Sequence, residues 1–235
     1  MNRGVLIAVL AVMSGSVAHA EPATWTLRDE DSAITLLGSV HVLPPDLDWR
    51  TARLSRVIAQ ADEIWFERTD DSGGAAFIAA GRSGTPLSSR LTTRDWARLQ
   101  GHARRLGFDA GLLERFQPWL AALLLHYRAQ EGAGLRHQSG VEPQIQALKP
   151  DVPHRALETG EELARTLGRV PARAQIRLLR TQLDALDQGA LADRELLDAW
   201  AAGRLGPLMS HAVEQQSEAP EWHEAAVTQR NRRWA

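Results

Sequence analysis

The pattern of apolar and polar positions predicts short strands near the start of the chain. Residues 23–27 and 32–40 are apolar runs of strand length on either side of the charged turn 29–31, so we expect a β-hairpin. Apolar residues spaced for one helix face then predict a helix over residues 49–61, and residues 63–68 predict a third strand. A strand, a helix and a strand in succession predict a parallel pair with a crossover helix.

The rest of the chain is predicted to be mostly helical. One further strand is predicted over residues 154–158, and Thr159 with Glu162 has the spacing of a capping box that opens the next helix. The pattern predicts an α/β fold, with α+β as the alternative, in which helices pack around a central mixed sheet. Further helices are predicted over residues 75–80, 94–106, 110–116, 118–127, 141–148, 172–188, 192–202, 205–216 and from 220 onward.

The first twenty residues have the pattern of a secretory signal peptide. Arg3 precedes an apolar run over residues 5–13, and small residues follow up to Ala18-His19-Ala20. The apolar run is too short for a bilayer span of roughly 30 Å. We therefore predict cleavage after Ala20, a periplasmic or secreted location, and no stable membrane insertion once the signal peptide is removed.

Composition narrows the function classes further. A chain of 235 residues that is 44% hydrophobic suits one globular domain, predicted over residues 21–235. The formal net charge of −2 and the absence of a basic run argue against nucleic acid as a partner. The absence of cysteine excludes disulfides, thiolate metal sites and a cysteine nucleophile.

The candidate chemistry lies at the predicted strand ends. His41 follows the second strand, three residues after Gly38, and Glu67 ends the third strand. Parallel strands would bring His41 and Glu67 to the same edge of the sheet. An imidazole and a carboxylate suit a divalent metal ion such as Mn²⁺, Co²⁺ or Zn²⁺. The alternative is a surface histidine and an exposed strand-end carboxylate, neither with a chemical role.

Two more glutamates are candidates. Glu142 opens a helix directly after Gly140-Val141, and Glu158 ends the strand predicted over residues 154–158. Either could take part in a site, but an acidic residue near a helix N-terminus is also favourable simply because it complements the helix dipole. Residue spacing leaves both interpretations open.

The chain resembles the TraB/GumN family, which is related to the Tiki proteins, and the resemblance extends over essentially the whole predicted mature chain. Each motif is weak alone, but five in the family's order are fairly specific. The motifs are LGSVHVLP at residues 37–44, IWFE at 64–67, GVE at 140–142, LET at 157–159 with Glu161-Glu162, and QRNRRWA at 229–235.

The resemblance implies an α/β fold similar to Tiki, erythromycin-esterase-like and ChaN-like proteins. It also implies a metal-dependent hydrolase site, since the Tiki relatives are metalloproteases with two G-x-x-H motifs and an acidic residue. Gly38 and His41 match the first G-x-x-H, and Glu67 matches the acidic residue. Arg230 and Asn231 match a late Arg-Asn pair whose arginine would hold a carboxylate or stabilise an oxyanion.

The resemblance thus assigns the site as follows: metal ligands His41 and Glu67; catalytic residues His41, Glu67 and Arg230; substrate-binding residues Gly38, Glu142, Glu158 and Asn231.

Two features depart from the family pattern. Glu142 occupies the position where the family usually has aspartate, and the second G-x-x-H motif is not found before Ala235. We therefore expect either a C-terminally incomplete copy or a natural short form.

Three functions are compatible with the sequence. The first is an exported hydrolase that uses a divalent metal on a peptide or another small substrate. The alternative is a non-catalytic periplasmic binding or interaction protein on the same fold. A ChaN-like role in haem binding through His41 is a more distant third, because no other residue marks a haem pocket.

Overall fold

The structure is a computed structural model that describes residues 20–69, 73–189 and 194–234. The predicted signal peptide lies outside the described residues except for Ala20. Among the helices that are described, none combines the length and apolar character needed to cross a bilayer.

Helices form most of the described chain, as the sequence pattern predicts. A π-helical turn (Glu224–Thr228) joins the last two helices, and short 3-10 turns occupy Leu87–Arg90 and His137–Ser139. The helices are α1 (Ala52–Gln60), α2 (Gly73–Ala80), α3 (Thr93–Arg105), α4 (Ala110–Leu113), α5 (Pro118–Gly132), α6 (Val141–Leu148), α7 (Gly160–Gly168), α8 (Ala172–Gln188), α9 (Arg194–Ala201), α10 (Leu205–Glu218), α11 (Pro220–His223) and α12 (Gln229–Trp234).

Local signals in the sequence define several helix ends. The Thr92 side chain accepts a hydrogen bond from the third residue of α3, and Gly107 follows this helix with a φ of 73°. The predicted capping box of α7 is confirmed, because the Thr159 side chain and Glu162 each bond the other's backbone N–H. Pro118 begins α5, where its missing N–H costs nothing.

Two small sheets are formed by the described residues. Strands β1 (Thr24–Arg28) and β2 (Ala33–Leu37) make the predicted antiparallel hairpin. Strands β3 (Ile64–Phe66) and β4 (His154–Ala156) pair in parallel. This mixture of small sheets and many helices confirms the α/β class.

The predicted crossover between the second and third strands is wrong. β2 pairs with β1, and β3 pairs with β4, about ninety residues further along the chain. A short apolar run predicts that a strand forms there, but it does not say which other strand it will pair with. The nearby hairpin partner is also reached at a low cost in loop-closure entropy.

The larger hydrophobic core lies between α3, α5, α7 and α8. Trp119 of α5 is fully buried in this core, which also contains Leu99, Leu125, Leu167 and Leu179 from the four helices. None of the described strands contributes a residue to this core, so it is formed without the sheets.

A smaller core supports the segment that follows β2. Leu43 is fully buried there among residues from the 49–58 region, α6 and α9. Trp49 and Trp200 contribute the largest side chains, with ring centroids 5.8 Å apart. Val141, at the first turn of α6, is also buried in this cluster. The smaller core therefore holds the two chain segments that carry His41 and Glu142.

Candidate functional site

The segment from Gly38 to Leu43 is held by hydrogen bonds to its backbone. The Trp200 indole N–H donates to the Gly38 carbonyl at 2.8 Å. The Val141 N–H donates to the Val40 carbonyl at 3.0 Å, and Leu43 pairs with Arg136 in an isolated antiparallel bridge. These contacts place His41 directly beside the N-terminus of α6.

Gly140 allows that close approach. A Cβ at residue 140 would lie 2.2 Å from the backbone oxygen of His41, which is far below a van der Waals distance. The glycine is needed for space rather than for its conformation, since its φ is −61°. The Gly140-Val141-Glu142 motif therefore has a local purpose: glycine admits the His41 segment, and Glu142 meets the histidine.

Glu142 binds the His41 ring. Its Oε1 atom lies 2.8 Å from His41 Nδ1 and 2.6 Å from the Ser39 hydroxyl, which donates to it. The His41 side chain is 52% exposed, whereas that of Glu142 is 18% exposed. We call these three residues the His41 triad. Within the described residues, the ring's other nitrogen, Nε2, makes no hydrogen bond.

The electrostatics of the pair set the histidine tautomer. Burial opposes ionisation of Glu142, but the bonds from His41 and Ser39 outweigh it and lower the Glu142 pKa from 4.5 to about 2. The bond to Glu142 raises the pKa of His41 above 6.5, against partial burial, and Glu67 and Glu142 add to this through their charge. An ionised Glu142 only accepts hydrogen bonds, so Nδ1 carries the proton and neutral His41 presents the Nε2 lone pair.

Glu67 and Glu158 lie side by side after the parallel strands. The ladder of β3 and β4 continues past their ends, with Glu158 N–H donating to the Glu67 carbonyl at 3.1 Å. The Glu158 side chain is almost fully buried, at 4% exposure, and that of Glu67 is 47% exposed. Parallel strand ends therefore do gather carboxylates, although the strands concerned are β3 and β4.

Arg230 joins these two carboxylates. Its Nη2 lies 2.5 Å from Glu158 Oε1 and 3.1 Å from Glu67 Oε2, and its Nε also donates to Glu158 at 2.7 Å. The guanidinium lies over the Trp234 ring, 4.6 Å from the centroid, and Nη1 donates to the Ala226 carbonyl. The Arg230 side chain is only 12% exposed, and it forms ion pairs with both Glu67 and Glu158.

The structure thus places the predicted residues in two neighbouring groups. His41 and Glu142 form the triad with Ser39, while Glu67, Glu158 and Arg230 form an ion-pair network. Gly38 is exposed and contributes its carbonyl to Trp200, and Asn231 is exposed on α12. The charge of Glu67 reaches His41, as its effect on the His41 pKa indicates, so the two groups are electrically linked.

Sequence reasoning missed several partners of these residues. Ser39 lies inside the quoted motif, two residues before His41, and the i, i+2 spacing on an extended segment was a usable signal. Trp200 had no such signal, because its bond to Gly38 joins distant parts of the chain. Trp234 lies one helical turn after Arg230 inside the quoted QRNRRWA motif, so its contact with Arg230 was a local one.

The donor set is compatible with a metal but limited in number. His41 Nε2 and the Glu67 carboxylate are a nitrogen and an oxygen ligand of the kinds that Mn²⁺, Co²⁺ and Zn²⁺ accept. Glu142 on Nδ1 is the outer carboxylate that commonly orients a metal-binding histidine. No group of three or more metal-ligating side chains is found within the described ranges.

These features define an α/β protein with a carboxylate-oriented histidine at the end of a hairpin. The chain matches the model of the TraB/PrgY/gumN family over residues 23–235 and belongs to that family. Neither a curated protein nor a solved structure matches it.

Proposed function

We propose that this chain is an exported, metal-dependent hydrolase that acts on peptide or similar bonds. The observation that supports the proposal best is the 2.8 Å hydrogen bond between Glu142 and His41 Nδ1. It orients the imidazole and leaves Nε2 as a lone-pair donor at a half-exposed position. A histidine held in this way is suited to bind a metal or to accept a proton.

His41 Nε2 and Glu67 would hold the metal, and water or substrate would fill its other positions. A bound divalent ion would supply a water of lowered pKa, which is a nucleophile at neutral pH. Ser39 and Glu142 keep the histidine ring in place. Arg230 positions the Glu67 carboxylate through the 3.1 Å contact and anchors it to the buried Glu158.

The test compares two histidine variants of the chain that begins at Glu21. His41→Ala should abolish stoichiometric binding of Mn²⁺, Co²⁺ or Zn²⁺ and chelator-sensitive cleavage of a peptide library. His211→Ala is the matched control, because this histidine is exposed on α10 and bonds only Gln215 within the described residues. Unchanged metal content in the His41 variant, measured by elemental analysis, would contradict the proposal.

Export is proposed from the pattern of residues 1–20. Expression of the full chain in a Gram-negative host should release a mature protein that begins at Glu21 into the periplasm. Mass spectrometry of the purified protein measures this N-terminus, and an intact Met1 in the cytoplasmic fraction would contradict export.

A non-catalytic binding protein is the second candidate. The observation that favours it is the ion pair of Glu67 with Arg230, which engages the proposed metal ligand with a cation instead. This candidate predicts ligand binding without turnover. Chelator-sensitive cleavage by the wild-type chain, lost in His41→Ala, would exclude it.

A further inference from the structure

Three arginines and four glutamates line a groove between α7 and the C-terminal helices. Two adjoining cavities of about 560 and 350 Å³ share Thr166, Arg169 and Arg233 in their walls. Arg165 lines the smaller cavity, one helical turn from Arg169 on the same side of the helix. We call this space the arginine groove. Its size lies within the roughly 300–1,000 Å³ typical of small-molecule sites.

Each carboxylate of the groove has a partner, although Glu158 Oε2 and Glu221 Oε2 accept no hydrogen bond from the described residues. Glu158 is paired with Arg230, and Glu162 is bound in the capping box with Thr159. Glu221 lies 3.7 Å from both Arg173 and Arg177, and Glu224 lies 3.3 Å from Arg232, with these cations outside the groove lining.

The arginine side chains of the groove, in contrast, have hydrogen-bond donors that the described residues do not use. Neither the Arg165 nor the Arg169 side chain makes an ion pair or hydrogen bond within the described residues, although the charge of Arg165 acts on Glu162. The third arginine, Arg233, lies 3.6 Å from Glu158 Oε2, which is too long for a hydrogen bond. Three guanidinium groups therefore have unused donors.

The Trp234 side chain adds an unpaired hydrogen-bond donor beside the arginine groove. Trp234 lines the smaller cavity, and its indole N–H is buried without a hydrogen-bond partner among the described residues. A buried N–H left unpaired is unfavourable, so a ligand that accepts from it would be favoured. An oxyanion is the ligand that accepts from an indole N–H and from guanidinium groups together.

The backbone around the groove is also unusual. The π-helical turn at Glu224–Thr228 supplies Glu224 and Ala225 to the wall of the larger cavity. Single π turns within α-helices are rare and occur frequently at functional sites. This turn interrupts the helical register just before Arg230 and Arg233, so it determines which side of the helix carries these arginines.

We propose that the arginine groove binds the carboxylate or phosphate group of a small molecule through Arg165, Arg169, Arg233 and the indole N–H of Trp234. The groove is separate from the His41 triad, and the proposal does not depend on the hydrolase reaction. Arg230 contacts Glu158, which lines the groove, and Glu67, whose charge acts on His41.

The experiment titrates the chain from Glu21 with inorganic phosphate and, separately, with citrate. The readout is the Trp234 indole N–H signal in a ¹H–¹⁵N spectrum, identified among the eight tryptophans by Trp234→Phe. A saturable shift with phosphate alone indicates a phosphate ligand, one with citrate alone indicates a carboxylate ligand, and a shift with both indicates recognition of the shared oxyanion chemistry.

The matched variants are Arg169→Gln in the groove and Arg104→Gln on α3, outside the groove lining. Both side chains are exposed, so both variants should fold, and Arg165→Gln provides a second groove variant. Loss of one charge-assisted contact should weaken binding about tenfold in the groove variants and leave the α3 variant unchanged. Absence of a shift with either anion, or equal weakening in the groove and α3 variants, would overturn the proposal.

Discussion

Two histidines of this chain bind a carboxylate, yet their surroundings give them different roles. His102 of α3 is 4% exposed in its side chain, and its Nε2 lies 2.7 Å from Asp187 Oδ1 on α8. Its Nδ1 lies 2.6 Å from Arg105, which can only donate. Both ring nitrogens of His102 are therefore used within the protein.

His41 uses only one nitrogen in this way. Its Nδ1 is bound to Glu142, but its side chain is half exposed and Nε2 is left for a ligand. A histidine–carboxylate contact therefore does not by itself mark a site. The access of the second nitrogen distinguishes a chemical role from a structural one.

The largest expected effect is on stability, and it should separate the two histidines. His102→Ala removes a buried ring and leaves Asp187 and Arg105 without their partner, so we expect a loss of about 2–4 kcal/mol in the free energy of unfolding. His41→Ala breaks a partly exposed pair and should cost about 1 kcal/mol or less. Urea unfolding of both variants measures this, and equal losses would contradict the comparison.

A second prediction concerns the backbone that brings His41 to Glu142. Gly140→Ala places a Cβ against the His41 carbonyl, and relief of that overlap should cost about 1–3 kcal/mol. The same change at Gly101, in the interior of α3 with open space around it, should instead stabilise the chain by about 0.5–1 kcal/mol.

Thermal unfolding of both glycine variants measures the difference in sign. The His41 ring signals in an NMR spectrum should also move in the Gly140 variant and stay in place in the Gly101 variant. Two variants of equal stability would mean that the His41 segment can move away from α6 without cost.

Features of the chain that depend on neighbouring residues could be predicted from the sequence. The hairpin, the capping box of Thr159 and the helix over residues 94–106 each arise from local sequence, and each is confirmed. Their physical causes, which are turn chemistry and orphan backbone groups, are visible in the local sequence.

Contacts between distant residues could not be predicted in the same way. His41 and Glu142 are 101 residues apart, and Glu67 and Arg230 are 163 apart. The family resemblance named these residues, but it did not say which carboxylate each would meet. Strand pairing decides that, and the pairing of β3 with β4 rather than β2 brought Glu158 beside Glu67.

The smallest expected effect is a pH dependence that the open histidine should show. In the metal-free protein the raised His41 pKa gives stability that is complete below 6.5 and lost as pH rises through the folded-state value. The lowered Glu142 pKa gives stability that is complete above 4.5 and lost as pH falls towards about 2. The pair should therefore stabilise the fold most between about pH 4.5 and 6.5.

Glu142→Gln tests the cause of this window. Without the carboxylate, partial burial of the ring remains and opposes its protonation, so the His41 pKa should fall. Ser39→Ala is the control, because it removes a hydrogen bond to Glu142 and leaves the negative charge beside the ring. An NMR titration of the His41 Cε1–H signal measures both values. If the Glu142 variant titrates at the wild-type pH, the carboxylate neither controls the protonation of His41 nor prepares Nε2 for a ligand.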